Sequence, residues 1–320
     1  MKGKYFFAAD CLFLSPYMFF RYKIIVGENV KNFKFTKMHT LGNNYIYVNM
    51  FKEYIAEEML TSIAVNVSNI HTGIGSDGLI LICPSEEADV KMRIFNNDGS
   101  EAENCGNGLR CVAKYVYENK LVNKDKFTIE TLSGVVKAQV YIKDDSVLKV
   151  TINLGKPKLR KRDIPMLGMD QCQVVAEPMI FDGNTYISTL VSMGNPHIIF
   201  YVEDINQAPL SALGSIVEND YRFPMGINVG FVQLLSEREI NYRVWERGSG
   251  VTQACGTGAC AAVVASILNN YLGKNTLIKV HLAGGDLNVI WSEQEAVLMT
   301  GCANTICEGT FYYCYKKPNY

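Results

Sequence analysis

Two short elements in this 320-residue chain combine residue types suited to proton chemistry: Cys105-Gly106-Asn107-Gly108 and Cys255-Gly256-Thr257-Gly258. After each, the hydrophobic pattern takes a helical period: Leu109, Val112, Ala113 and Val116 share one face, and so do Cys260, Val263, Val264, Ile267, Leu268 and Tyr271. Each cysteine therefore opens a helix. Free backbone N–H groups and the positive end of the helix dipole gather there, which favours thiolate over thiol and lowers a cysteine pKa. The glycines allow a ligand close to the backbone, and the same N–H donors suit a carboxylate. With two such elements facing each other across a cleft, one cysteine takes a proton from one side of an α-carbon and the other delivers one to the opposite side. The helix ends hold the carboxylate and the charge that grows on it. That chemistry inverts a stereocentre with no cofactor. It needs one thiol and one thiolate, so the pair titrates as a coupled unit.

The elements that position the cysteines repeat. Gly42-Asn43 precedes strand-like Tyr45–Val48, and Gly194-Asn195 precedes strand-like Ile198–Val202, an offset of 194 − 42 = 152 residues. The two Cys-Gly-x-Gly elements are 255 − 105 = 150 residues apart, and Leu132-Ser133-Gly134 matches Leu282-Ala283-Gly284 at the same offset. Val90–Ile94 and Ile240–Val244 alternate with period two and lead through polar loops into the cysteine elements. More strand patterns follow each helix: Lys126–Glu130, Val135–Ile142 and Val147–Leu154, then Leu277–His281 and Leu287–Trp291. The expectation is a mixed α/β (α+β) fold of two pseudo-symmetric halves, each with one principal helix among strands. The boundaries are an N-terminal extension over 1–32, a first domain over 33–150 and a second over 151–302.

Composition excludes several other classes. Hydrophobic residues make up 48% and charged residues 20%, and the formal net charge is −1, so no nucleic-acid footprint is present. The basic run Lys156–Arg162 reads as a solvated linker. Ten cysteines are too sparse for a disulfide scaffold; none forms a CxxC pair and no histidine stands at metal-ligand spacing from them, which fits free thiols in a cytoplasmic setting with no metal. Cys83, Cys111, Cys260, Cys302, Cys307 and Cys314 read as buried small hydrophobes. Gly256-Thr257-Gly258-Ala259-Cys260-Ala261 nominally fits a dinucleotide fingerprint, but a polar loop intervenes before it and Asn269-Asn270 stands where a following acidic strand would be needed. The stretch Tyr5–Phe20 outlines a signal peptide, yet Asp10 and Pro16 interrupt it and no small-residue cleavage site follows. No other run reaches the roughly 18 apolar residues that span a bilayer.

Five blocks in order resemble the diaminopimelate epimerase family over residues 34–314. They are Lys37–Asn44, Asn96–Cys111, Val191–His197, Gly226–Phe231 and Trp245–Gly258. The resemblance implies an isomerase that interconverts LL- and meso-diaminopimelate without a cofactor, on the path to lysine and peptidoglycan precursors. It implies domains built as a central helix surrounded by strands, with a last strand, about 303–314, returning to the first domain. A homodimer is implied only by this resemblance. Carried over by position, Cys105 and Cys255 are the acid/base pair. Gly106, Asn107, Gly256 and Thr257 bind the reacting carboxylate through backbone N–H groups. Asn96, Asn195, Asn228 and Arg247 hold the distal amino-acid end, and Asn43 and Glu246 lie near the reacting end. Glu246 is suited to the substrate ammonium and to deprotonating Cys255, as His197 is for Cys105, although His197 also reads as an ordinary strand-end histidine. The asparagines after Gly42 and Gly194 also read as turn residues, and Arg247 as half of an ion pair. Two positions depart from the family pattern: Asn44 stands where many members have Asp, and Gly78 where some have a substrate-binding Gln. A proline racemase-like enzyme, or more remotely a thiol redox sensor, is the competing reading; Arg247, Asn195 and Asn228 would have nothing to grip on a small cyclic amino acid.

Overall fold

The computed structural model describes residues 30–102 and 106–314. Cys105 and residues 1–29 of the N-terminal extension lie outside the described residues. The chain begins with a hairpin of β1 (Val30–Thr40) and β2 (Asn43–Asn49). Thr40 pairs with Asn43, leaving the two-residue turn Leu41-Gly42 with φ of +54° and +90°. Such mirror-image turns match strand twist and favour glycine in the second place. α1 (Leu60–Ser68) then crosses to β3 (Gly78–Cys83), which runs parallel to β2. β4 (Val90–Asn96) returns antiparallel and pairs with the short β5 (Glu101–Ala102). α2 (Gly106–Glu118) leads to β6 (Lys126–Thr131), parallel to β4, and the antiparallel β7 (Gly134–Lys143) and β8 (Ser146–Asn153) complete the half.

The same sequence of moves then recurs. After β9 (Glu177–Phe181), β10 (Asn184–Ser192) and β11 (Pro196–Tyr201) form a hairpin, and α3 (Leu210–Glu218) crosses to β12 (Asn228–Ser236), parallel to β11. β13 (Glu239–Glu246) is antiparallel to β12 and pairs with the short β14 (Gly250–Val251). α4 (Gly256–Leu268) leads to β15 (Ile278–Leu282), parallel to β13, followed by antiparallel β16 (Gly285–Trp291) and β17 (Val297–Gly301). β17 pairs with β8 and ties the halves together. β9 borders β10, and the last strand, β18 (Asn304–Cys314), takes the matching place beside β1. Phe33 and Phe311 stack there with ring centroids 5.6 Å apart.

The helices bearing the cysteine elements are the centre of each half. α4 is buried around almost its whole girth from Gly256 to Ser266, and α2 from Gly106 to Lys114. Gly, Ala and Val leave room for strands on every side of α4, so burial of an apolar helix drives the wrapping. α4 stops at Leu268, with Asn270 at φ +61°, so Tyr271 lies past the helix and packs edge-on against Tyr201 at 4.9 Å. Cys111 and Cys260 are buried as expected, but Cys302, Cys307 and Cys314 are exposed and Cys83 is half-buried. Both faces of β18 are open from Asn304 to Glu308, which leaves Cys307 exposed.

Candidate active site

The two helix N-termini meet. The Asn107 side-chain amide at the start of α2 donates to the Ala254 carbonyl just before α4, at 3.0 Å. Gly106 and Gly256 both leave no Cβ between the tips: a Cβ on Gly106 would lie 3.9 Å from the Thr257 methyl, and one on Gly256 would lie 3.2 Å from Asn107 Oδ1. The N-termini of two helices therefore converge on one place, which suits an anion. Behind them sits Arg110, fully buried, which donates to Asn107 Oδ1 at 2.8 Å and to Thr40 Oγ1 at 3.0 Å. The Leu41-Gly42 turn also reaches this junction, since the Leu41 carbonyl occupies the space beside Gly284 and Gly42 faces Gln253.

Cys255 is the N-cap residue of α4 and is 4% exposed. Its Sγ lies 3.5 Å from Thr257 Oγ1. Burial pushes its thiol well above the ordinary cysteine range, and the neighbouring Glu246 carboxylate pushes it the same way; the Thr257 hydroxyl and the Gly258 amide pull it down by less. The helix terminus alone points to a thiolate, but desolvation and a nearby anion outweigh it, and Cys255 rests as a thiol facing Glu246. Glu246 is itself raised, first by burial and also by the charge of Asp77, while the hydroxyl of Thr252 is hydrogen-bonded to it. A carboxylate so placed takes a proton more readily than a solvated one.

Asp77 ties Asn43 into the same group. Its Oδ2 accepts from the Asn43 amide at 2.9 Å and from the Asn44 backbone at 2.7 Å. Asn44 can donate to this carboxylate from its side chain too, at 3.4 Å, where an aspartate would repel it. Asn195 Oδ1 lies 3.1 Å from His197 Nε2, which is also 3.3 Å from Thr257 Oγ1. His197 is completely buried, and burial, helped by the charge of Arg247, pushes its pKa down to about 3. A neutral imidazole of so little basicity is a hydrogen-bonding member of the site and a weak base. Asn228 donates to the Pro196 carbonyl at 2.8 Å and accepts from the Arg247 amide at 2.9 Å. The Arg247 guanidinium reaches the Met225 carbonyl at 2.8 Å, so it caps a backbone turn and makes no ion pair in that bond. Asn96, at the end of β4, bonds Ser100 at 3.0 Å, and the adjacent Asn97 amide donates to the Asp77 carbonyl at 3.1 Å.

The structure thus brings together Asn43, Gly106, Asn107, Asn195, His197, Asn228, Glu246, Arg247, Cys255, Gly256 and Thr257, with Asn96 joined through the Asp77 strand end. Cys105 lies outside the described residues, immediately before α2. Asp77, Thr252, Arg110 and Tyr242 escaped the motif reading; a charged Arg110 amid the buried turns of α2 was the available signal for one of them. Among the described residues no group of three or more His, Cys, Asp or Glu side chains is placed to hold a metal ion.

Gly78 pairs with Asn96 across β3 and β4, and a Cβ there would lie 2.1 Å from the Phe95 carbonyl oxygen. No side chain fits, so the contact that some family members make with Gln has no counterpart. Gly78→Ala is expected to destabilise the protein by about 3 kcal/mol, because backbone must move to admit the methyl group. A shift in the urea unfolding midpoint checks this; an unchanged midpoint would show that β3 and β4 separate freely.

Solved structures of epimerases, racemases and PhzF-family proteins share this fold. The chain superposes on the Bacillus anthracis phenazine biosynthesis protein of the PhzF family with a TM-score of 0.64 at 16% identity, covering 88% of this chain and 99% of that one. A hydroxyproline epimerase from Agrobacterium vitis gives 0.64 at 14% identity, over 91% and 94%. Within that class, residues 35–160 and 189–306 match the diaminopimelate epimerase family. The diaminopimelate epimerase of Geobacillus sp. strain WCH70 is 62% identical over 284 residues, 89% of this chain and all of the relative, and that of Bacillus subtilis strain 168 is 58% identical over 283 residues, 88% and 100%. The chain belongs to the diaminopimelate epimerase family, and it is an isomerase of the epimerase type.

Proposed function

We propose that this chain interconverts LL- and meso-diaminopimelate by moving a proton across the α-carbon between Cys105 and Cys255. The observation that carries the reading is the tip of α4: a buried thiol beside a carboxylate of raised proton affinity, with two sets of helix N–H donors converging next to it. In one direction a Cys105 thiolate removes the α-proton and the Cys255 thiol delivers its own to the opposite face. In the other direction the roles exchange. Gly106, Asn107, Gly256 and Thr257 hold the reacting carboxylate and the enolate charge that builds on it. Glu246, with Asp77 and Asn43 behind it, receives the substrate ammonium as a carboxylate; Cys255 serves as base from the thiolate that the forward step leaves on it, with Cys105 then the thiol. Asn96, Asn195, Asn228 and Arg247 grip the distal amino-acid end; Arg247 exchanges its carbonyl partner for a bidentate carboxylate. His197 orients Asn195 and Thr257. The corresponding domain boundaries are 33–150 with the last strand, and 151–302.

Among the described residues no helix is long and apolar enough to cross a membrane. A cytoplasmic enzyme acting on a small molecule, without nucleic acid or membrane and as a homodimer, completes the proposal.

Proton NMR in D₂O under reducing conditions tests it, with LL-diaminopimelate and the parent enzyme beside Cys105→Ala and Cys255→Ala. Deuterium is expected at the α-position as the meso product forms, and each substitution is expected to abolish inversion. Exchange with a different amino acid alone would keep the chemistry and overturn the substrate; no exchange with any amino acid would overturn both.

A further inference from the structure

Beside Cys255 lies a hydroxyl with no hydrogen-bond partner among the described residues. It is the Oη of Tyr242, on β13, which is fully buried. A buried O–H in that state costs free energy, so its retention asks for a use. Two glycines make room for it. A Cβ on Gly258, in the first turn of α4, would lie 2.3 Å from Tyr242 Oη and 3.2 Å from Cys255 Sγ. One on Gly230 of β12 would lie 2.9 Å from the same oxygen. The hydroxyl and the thiol therefore both crowd the place a Gly258 side chain would take, and lie no more than about 5.5 Å apart.

We propose that Tyr242 is a further positioning residue of the reaction: its hydroxyl is the reserve donor that receives the Cys255 thiolate. The inference rests on the two-cysteine reading above. While Cys255 is a thiol, its hydrogen faces Glu246 and the tyrosine O–H has no acceptor. When the S–H bond breaks and its proton passes to the α-carbon, the electron pair stays on Sγ. The sulfur is then a strong acceptor, and a small shift of the two side chains closes the remaining gap, so that the O–H donates to it with no bond to oxygen broken. The groups facing Sγ divide the work: Glu246 opposes the thiolate, whereas the Thr257 hydroxyl and the Gly258 amide favour it; the Tyr242 hydroxyl joins these two once it donates to the sulfur. Burial holds the phenol itself neutral, and the nearby Cys255, Glu246 and Cys260 act in the same direction, so Tyr242 donates a hydrogen bond and never supplies the proton.

Tyr242→Phe removes one oxygen and keeps the ring. Hydrogen bonds to charged groups are worth enough that turnover should fall about tenfold. The fall should be equal in both directions, because an enzyme cannot move the equilibrium between the two stereoisomers. KM should change little. Alkylation of Cys255 by iodoacetamide at fixed pH, read by peptide mass spectrometry against Cys105 in the same molecule, should slow by about the same factor, since the thiolate is the reacting form. The thermal midpoint should hold or rise, because an unpartnered buried hydroxyl is deleted. Slower turnover and slower Cys255 alkylation in a protein at least as stable as the parent would establish the proposal. Parental alkylation, with or without a loss of turnover, would overturn it. Cys255→Ala measured alongside separates the two readings: if that variant still epimerises, the two-cysteine reading falls and this inference with it.

Discussion

Cys255→Ala is expected to lower epimerisation about 10³-fold in both directions, the scale on which a positioned proton donor contributes. The substitution deletes the sulfur held between Glu246 and Thr257 and leaves the rest of the α4 tip in place. It should also split exchange from inversion. With Cys105 as the sole remaining base, the α-proton on its side of the carbon can still leave and return. One stereoisomer should therefore take up deuterium slowly with its configuration retained, while no inverted product accumulates. Proton NMR in D₂O with chiral separation of the products, on protein shown to be folded by circular dichroism, reads both effects. A variant keeping more than about a tenth of parental turnover would remove Cys255 from the mechanism.

The second large effect concerns acid stability. His197 titrates at about 3 in the folded chain, against an ordinary value of 6.5. Above pH 6.5 neither folded nor unfolded His197 carries the extra proton, and stability is complete. As the pH falls below that value the unfolded chain takes the proton and the buried imidazole does not. Stability is then lost at about 1.4 kcal/mol per pH unit until the folded value is reached. Between pH 6.5 and 4.5 this single residue costs about 2–3 kcal/mol. Glu246 works in the opposite direction, because a carboxyl raised by burial takes its proton first in the folded state. His197→Gln keeps an amide that reaches Asn195 and Thr257 but cannot titrate. Urea unfolding at a series of pH values should show the variant losing less stability on acidification than the parent by that amount. Parallel curves would show that water or rearrangement charges His197 inside the fold.

The helix-tip elements and the duplication were legible in the sequence because both are local. A cysteine, two glycines and a helical period define a helix tip whatever surrounds it, and two copies 150 residues apart imply two halves. The strands flanking each helix followed from spacing, and the grouping of Asn43, Asn195, Asn228 and Arg247 was an expectation carried by the family resemblance. Short α1 and α3 were missed because nine residues give too little periodicity to read. The protonation states were decided by the tertiary fold. Desolvation depends on what packs around a group, so the thiol of the pair falls at Cys255 although a helix tip by itself favours thiolate, and His197, which read equally as a base and as an ordinary strand-end histidine, is stripped of basicity by burial and Arg247. Packing also decided that Gly78 admits no side chain, that Asp77 braces Asn43, and that Arg110 lies buried behind both helix tips. Each is a contact between residues far apart in the chain, and one-dimensional spacing carries no record of the distances that such contacts require.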